Sequence, residues 1–297
     1  MVVVAVCAGC NGGSSPTRAK DASDDAVAED VPPGADVADE SPPADGGGVS
    51  CPPSEKKCLD ATQLSVCSAA GDQLTVFTCP TGCAAGDCQP ADLMNGWQIY
   101  QFKASDDSIQ VQAAYTFENN GLVAIESQNA LPSAYVNEHV FSSLHATGRI
   151  SVQTTSDDDL IGFVFGWQDM SHFYLLDWKK AEQNDATCGL AKQGVTLKRM
   201  IADAEPPTCD NYWASAGTAS VAVLSPTAGP GWVSGTVYSF DLVWKPGSIH
   251  IKLTDDMGAS IAEITSDDAT IASGRFGFWN YSQADVRYES FIIEPAP

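Results

Sequence analysis

The chain has 297 residues, 38 of them acidic and 15 basic, for a formal net charge of −23 at pH 7. No run of basic residues exceeds two, so nucleic acid is excluded as a partner and an anionic membrane surface would repel the protein. The length allows a large core, and an all-β sandwich of about 200 residues is common as one domain.

Residues 1–10, MVVVAVCAGC, form a short apolar run that ends in small residues and a cysteine. Ala8, Gly9 and Cys10 fit the last three positions of a bacterial lipoprotein cleavage site. A signal peptide is therefore expected to end before Cys10, which would carry the lipid. Cys7 stands where leucine is usual, and the basic segment that opens such leaders is missing, as it would be if translation began upstream. No later stretch is long and apolar enough to cross a bilayer as a helix. The expected localisation is the bacterial cell envelope, facing the periplasm or the exterior and touching the membrane only through the lipid. Residues 11–50 consist largely of Gly, Ser, Pro, Ala and Asp. They cannot bury enough apolar surface to offset their conformational entropy and read as a disordered acidic linker.

Residues 51–89 hold six cysteines: Cys51, Cys58, Cys67, Cys79, Cys83 and Cys88. The segment contains no histidine and no CxxC pair, which favours disulfides over zinc. LSVCS and LTVFTC read as two strands around Ala70-Gly71-Asp72, with Leu59, Leu64, Val66, Leu74, Val76 and Phe77 as a small core. Bridges of about 2–4 kcal/mol each would replace the core that such a module lacks. The connectivity stays open among fifteen possibilities.

A sandwich domain is expected over residues 95–297, opening near Trp97, with early strands at 109–111, 122–127, 134–140 and 146–152. The strongest local signal follows at residues 156–180, SDDDLIGFVFGWQDMSHFYLLDWKK. Period-two alternation puts Phe163, Phe165 and Trp167 on one strand face. After a turn at 168–172 it puts Tyr174, Leu176 and Trp178 on one face, with Phe173, Leu175 and Asp177 opposite. Cys188 and Cys209 flank a Gly-, Pro- and Asp-rich stretch that a bridge between them would pin. No segment shows sustained helical periodicity, so the domain is predicted to be all-β.

The hairpin resembles that of the thrombospondin C-terminal domain, a jelly-roll, concanavalin-like sandwich of the L-type-lectin kind. Further pieces follow in the family's order: GVTLKRM at 194–200, a strand start at Tyr212-Trp213-Ala214-Ser215, Gly231-Trp232, paired strands at 237–253, and GRFGFWNYSQADVRYESFII at 274–293. The resemblance covers roughly residues 97–293. It implies a calcium-binding domain with Asp157, Asp158 and Asp159 as ligands or as the brace of a ligand loop. Adjacent carboxylates on a turn supply several of the six to eight oxygens calcium takes; the competing reading is a solvated turn. The chain departs from the family in lacking DxDxDG repeats and Arg-Gly-Asp.

Catalysis has little support, since His139, His145, His172 and His250 are scattered and no GxSxG or HExxH occurs. Glu138 and His139, adjacent in a predicted strand, would point to opposite faces. The expected function is therefore non-catalytic: calcium-dependent cell adhesion or binding of an extracellular protein or polysaccharide. The alternatives are a carbohydrate-binding surface module, with Trp213, Trp232, Trp279 and Tyr281 as a sugar platform, and a structural envelope protein. Trp232, in a loop after Gly-Pro-Gly, is the aromatic most expected to be exposed.

Overall fold

Runs of β-branched and aromatic residues separated by Gly-, Asp- and Ser-rich turns fold almost wholly into strands. The computed structural model describes residues 50–103, 111–202 and 208–296. Cys10 with its leader, the linker up to residue 49 and most of the strand predicted at 109–111 lie outside those residues.

The cysteine-rich segment carries β1 (Lys56–Cys58), β2 (Gln63–Cys67), β3 (Leu74–Thr78), β4 (Cys83–Ala84) and β5 (Asp87–Cys88). Cys51 bonds Cys67, Cys58 bonds Cys83, and Cys79 bonds Cys88. The bridges themselves are the core, because Leu64 packs on Cys79, Cys83 and Cys88. Leu59, Leu74 and Val76, expected inside, are exposed, since three strands with nothing over their outer face have no second layer to bury them. The segment is seated on the sandwich through Ile292, and the Ala91 N–H donates to the Phe291 carbonyl at 2.7 Å.

The sandwich begins with β6 (Trp97–Gln101), β7 (Tyr115–Glu118), β8 (Val123–Glu126), β9 (Ser133–Asn137) and β10 (Leu144–Val152). The hairpin supplies β11 (Leu160–Asp169) and β12 (His172–Lys179). A small ribbon, β13 (Gln183–Asp185) and β14 (Gly189–Ala191), precedes β15 (Gly194–Ile201). One helical turn, α1 (Cys209–Tyr212), leads to β16 (Val221–Ala228). The chain closes with β17 (Val237–Lys245), β18 (Ser248–Asp255), β19 (Ser260–Ser266), β20 (Arg275–Tyr281) and β21 (Val286–Glu294).

Two antiparallel seven-stranded sheets face each other, one in the order β19-β18-β17-β10-β21-β8-β7 and one in the order β16-β15-β12-β11-β20-β9-β6. Phe163, Phe165, Tyr174, Leu176, Trp178 and Phe278 of the second sheet meet Phe240, Trp244, Ile251, Tyr288 and Phe291 of the first in one core. This is the jelly-roll, concanavalin-like sandwich. Tyr212-Trp213 is not a strand start, because Tyr212 ends α1 and Trp213 forms its cap.

The second sheet is buried on its outer face as well. The connections on either side of β15, carrying Cys188 and Cys209, are joined by a disulfide and fold back over Phe173, Leu175, Trp279 and Tyr281. Trp167 belongs to this outer cluster rather than to the face of Phe163 and Phe165. The register of β11 slips after Phe165, where Gly166 takes φ +59°, and the bulge turns the next side chain over.

Candidate functional site

The acidic turn stands where β10 hands over to β11. The Asp159 N–H donates to Oε1 of Gln283 at 3.2 Å, and the Asp159 carbonyl accepts the Trp232 indole N–H at 3.1 Å. Asn129 donates to Asp157 Oδ2 at 2.5 Å and is itself held by the Ser282 hydroxyl at 2.8 Å. The turn is thus fixed from the loop before β9 and from the β20–β21 connection, which carries Ser282 and Gln283. Carboxylate oxygens of Asp157, Asp158 and Asp159 lie within 4.8 Å of one another.

Hairpin pairing sets Leu160 opposite Lys179, so the end of β12 delivers two lysines to this turn. Lys179 is 1% exposed, and its ammonium donates to Asp159 Oδ1 at 2.7 Å, Gln183 Oε1 at 2.7 Å, the Asp158 carbonyl at 2.9 Å and Asp158 Oδ1 at 3.2 Å. It also lies 4.7 Å above the Trp213 ring. Lys180 donates to the Asp157 carbonyl at 3.0 Å and lies 4.9 Å from the Trp232 ring. Burial pushes the Asp159 carboxyl up to about 6, against the pull of the Lys179 charge. Asp158 keeps its side chain 40% exposed.

These contacts correct the aromatic platform. Trp213, Trp232, Trp279 and Tyr281 are all buried, Trp232 to 1% exposure. Trp213 and Trp232 cover the two lysines, while Trp279 and Tyr281 lie beneath the disulfide-clamped connections. A loop position after Gly-Pro-Gly left Trp232 no less buried, because its N–H finds a partner in the acidic turn and its ring faces the inter-sheet core. All eight predicted disulfide cysteines are bridged within their expected groups, Cys188 to Cys209 included.

For a calcium ion the donors are of the right kind, and oxygens about 2.4 Å from one ion can be no more than about 4.8 Å apart. Half of the cluster is already committed. Lys179 engages Asp158 and Asp159, and all three aspartate carbonyls accept bonds from Lys180, Lys179 and Trp232. The fit is therefore to the outer rim, where Asp157 and the exposed oxygen of Asp158 would hold an ion that keeps part of its water.

Sequence reasoning missed Lys179 and Lys180; their only signal was a pair of lysines ending a strand in a chain poor in bases. It also misjudged Glu138 and His139. β9 stops at Asn137, whose Oδ1 accepts the His139 N–H at 3.1 Å, and the turned chain brings both residues to the lining of one cleft beside Trp97.

Residues 110–295 match the profile of the family described as thrombospondin C-terminal region. Thrombospondin-3b of Danio rerio is 28% identical over 187 residues, 60% of this chain and 20% of that protein. Cartilage oligomeric matrix protein of Bos taurus is 27% identical over 187 residues, 60% of this chain and 25% of that protein. The chain thus spans a quarter or less of these relatives. Among solved structures, a carbohydrate-binding module (CBM66) from Bacillus subtilis superposes with TM-score 0.41 at 11% identity, covering 67% of this chain and 95% of that one. Peanut lectin gives TM-score 0.41 at 11% identity, with 67% and 96% coverage. At these scores the likeness adds nothing to the topology already described. With the profile spanning well over half of its length, the chain belongs to the thrombospondin C-terminal region family.

Proposed function

We propose that the chain is a non-catalytic recognition domain that works outside the cytoplasm and carries calcium at the rim of the Asp157–Asp159 turn. Its ligand would be an extracellular protein or polysaccharide, and adhesion the role, with Cys10 as the lipid tether to a bacterial surface. The observation that carries the reading is the convergence of three carboxylates on a turn braced from both sides. Four disulfides suit an oxidising compartment. Support for a non-catalytic role comes from the histidines: His145, His172 and His250 face carboxylates rather than a hydroxyl or thiol.

In this reading Asp157 and Asp158 contact the ion, while Lys179 and Asp159 hold the turn in place from behind. Bound calcium would neutralise the rim carboxylates and fix the loop between β10 and β11. The Lys179 charge lowers the net negative charge of the cluster, so the site is expected to be of millimolar rather than micromolar affinity.

Chelation and back-titration test this. Binding to the native state alone stabilises it by RT ln(1 + [L]/Kd), about 2.7 kcal/mol at a hundredfold excess over Kd. Calcium should raise the melting temperature of chelator-treated protein, and magnesium, which holds its waters, should not. Asp158→Asn should abolish the rise, whereas Asp255→Asn should leave it. The Asp255 carboxylate accepts the N–H groups of Met257 and Ala259 in a separate turn. A melting curve unmoved by chelator, with no calorimetric heat at millimolar calcium, would reduce the triplet to a structural turn. For the tether, Cys10→Ser should release the protein from membrane fractions.

A further inference from the structure

A cleft of about 330 Å³ opens where the disulfide-rich segment meets the sandwich. It lies at the opposite end of β9 from the acidic turn: the register sets Ser133 level with Asn280 and Ile161 beside that turn, and Asn137 level with Trp97 beside the cleft. One wall comes from Pro80, held between Cys79 with its bridge to Cys88 and Cys83 with its bridge to Cys58. The other comes from the start of β6 and the end of β9. The size lies within the usual range for small-molecule sites, roughly 300–1,000 Å³.

The chemistry of the lining is selective. Trp97 presents an indole that is half-buried, fixed by its N–H on the Asp92 carbonyl at 2.9 Å and stacked on Tyr135 and Phe278 at 5.3 and 5.1 Å. It is an apolar plate that is already immobilised, so a ligand would not have to order it. Glu138 and His139 are exposed, and neither side chain bonds any described residue. The Glu138 carboxylate lies over Gly96, where a Cβ would come within 2.9 Å of Oε1. Gly96 takes φ +75°, a backbone conformation that favours glycine. A second hollow of about 220 Å³ shares Gly96, Trp97, Asn137 and Glu138 and runs on along the edge strand β6.

We propose that this cleft binds a neutral saccharide, with a sugar ring against Trp97 and its hydroxyls on Glu138 and His139. The two carboxylates of the lining, Asp92 and Glu138, disfavour anions such as uronates and sulfated sugars. An ammonium ligand would use carboxylates, but Asp92 already accepts the N–H groups of Met94 and Asn95 and the side-chain amide of Asn95. What stays free is one carboxylate and one imidazole beside an aromatic face, an acceptor and a donor matched to vicinal hydroxyls. The adjoining hollow along β6 gives a chain of sugars somewhere to continue. The inference rests on the preceding reading of a recognition domain, narrows its ligand to a neutral saccharide, and makes no use of the calcium rim.

The test takes the full chain, disulfides intact, onto an array of neutral oligosaccharides, with hits measured by calorimetry in EDTA and in calcium. Binding is expected in both buffers. Glu138→Ala and His139→Ala should each weaken it about tenfold, the loss of one hydrogen bond to a charged or polar partner. Both side chains are exposed, so the melting temperature should stay put, and Trp97→Phe, which keeps the stack, should weaken binding without unfolding. Three outcomes overturn the proposal: no neutral glycan bound at millimolar concentration, both alanine variants binding as tightly as the parent protein, or capture of a primary amine such as hexylamine in place of sugar. Glycan binding that vanishes in EDTA yet survives both variants would place the ligand at the calcium rim and leave that reading standing.

Discussion

The ammonium of Lys179 stands 2.7 Å from Oδ1 of Asp159, and both side chains are largely shielded from water. A cation is thus part of the fold at the place where the family resemblance suggested one from solution. The pair holds together the start of β11, the end of β12 and the Gln183 side chain.

Lys179→Met should therefore be costly. It leaves the Asp159 carboxylate buried with no counter-charge, and such a break typically costs about 3–5 kcal/mol. Adding Asp159→Asn removes the stranded charge and should recover most of the loss. Urea unfolding of the two single variants and the double variant gives the coupling directly. Additive losses would show that the pair contributes no more than its separate side chains.

The second expectation concerns pH. Glu126 is fully buried; Oε1 accepts the N–H groups of Gln128 and Ala114, while Oε2 has no partner among the described residues. Burial pushes its carboxyl from 4.5 up to about 7. The native state then keeps a proton the unfolded chain releases, so this stability is fully present below about 4.5 and is lost as pH rises through about 7. His145, between Asp241 and Glu294, is raised from 6.5 to about 9, and its contribution is present below 6.5 and lost as pH rises through about 9. Denaturant unfolding from pH 5 to 9 should show stability falling across both windows. Glu126→Gln should flatten only the lower fall and His145→Gln only the upper. An unchanged profile in Glu126→Gln would assign the lower fall to other groups.

The Cys188–Cys209 bridge offers a third check. It closes a separation of 21 residues, for which chain entropy gives about 3 kcal/mol. Paired serine substitutions should destabilise by that order and loosen the connections over the second sheet. Trypsin should then cut after the exposed Lys192 faster than it does in the oxidised protein. Identical digestion of both forms would mean that packing of Tyr212 and Trp213 holds the cover without the bridge.

Much of the sandwich was legible because alternation reports directly which face is buried. Tyr174, Leu176 and Trp178 point to the inter-sheet core as their spacing requires. The same stretch carried a hint of the outer cover, since Phe173 and Leu175 on its other face are apolar too. A strand apolar on both sides needs two partners, and that argument would have placed Trp279 and Tyr281 under cover rather than on a platform. The bulge at Gly166 was not legible, because one extra residue inverts the pattern without altering composition. The acidic triplet is visible as a local run. Its lysines arrive only through the hairpin register that sets Leu160 against Lys179. Glu138 and His139 were misread for a similar reason: strand geometry separates neighbours, and the Asn137 turn ends that geometry one residue too early for it to apply.

The cystines of the N-terminal segment also fix its mechanics. Under tension applied at Ser50, load passes from Cys51 straight to Cys67, and the spans closed by Cys58–Cys83 and Cys79–Cys88 cannot be drawn out to their full contour length. From Cys67 the load crosses β2, laddered to β1 on one side and β3 on the other, before it reaches the seam with the sandwich, where the Ala91 N–H meets Phe291 and the Leu93 N–H meets Gly121. Three cross-links would make the segment a stiffened link, and the cleft beside Trp97 lies along its seam with the sandwich.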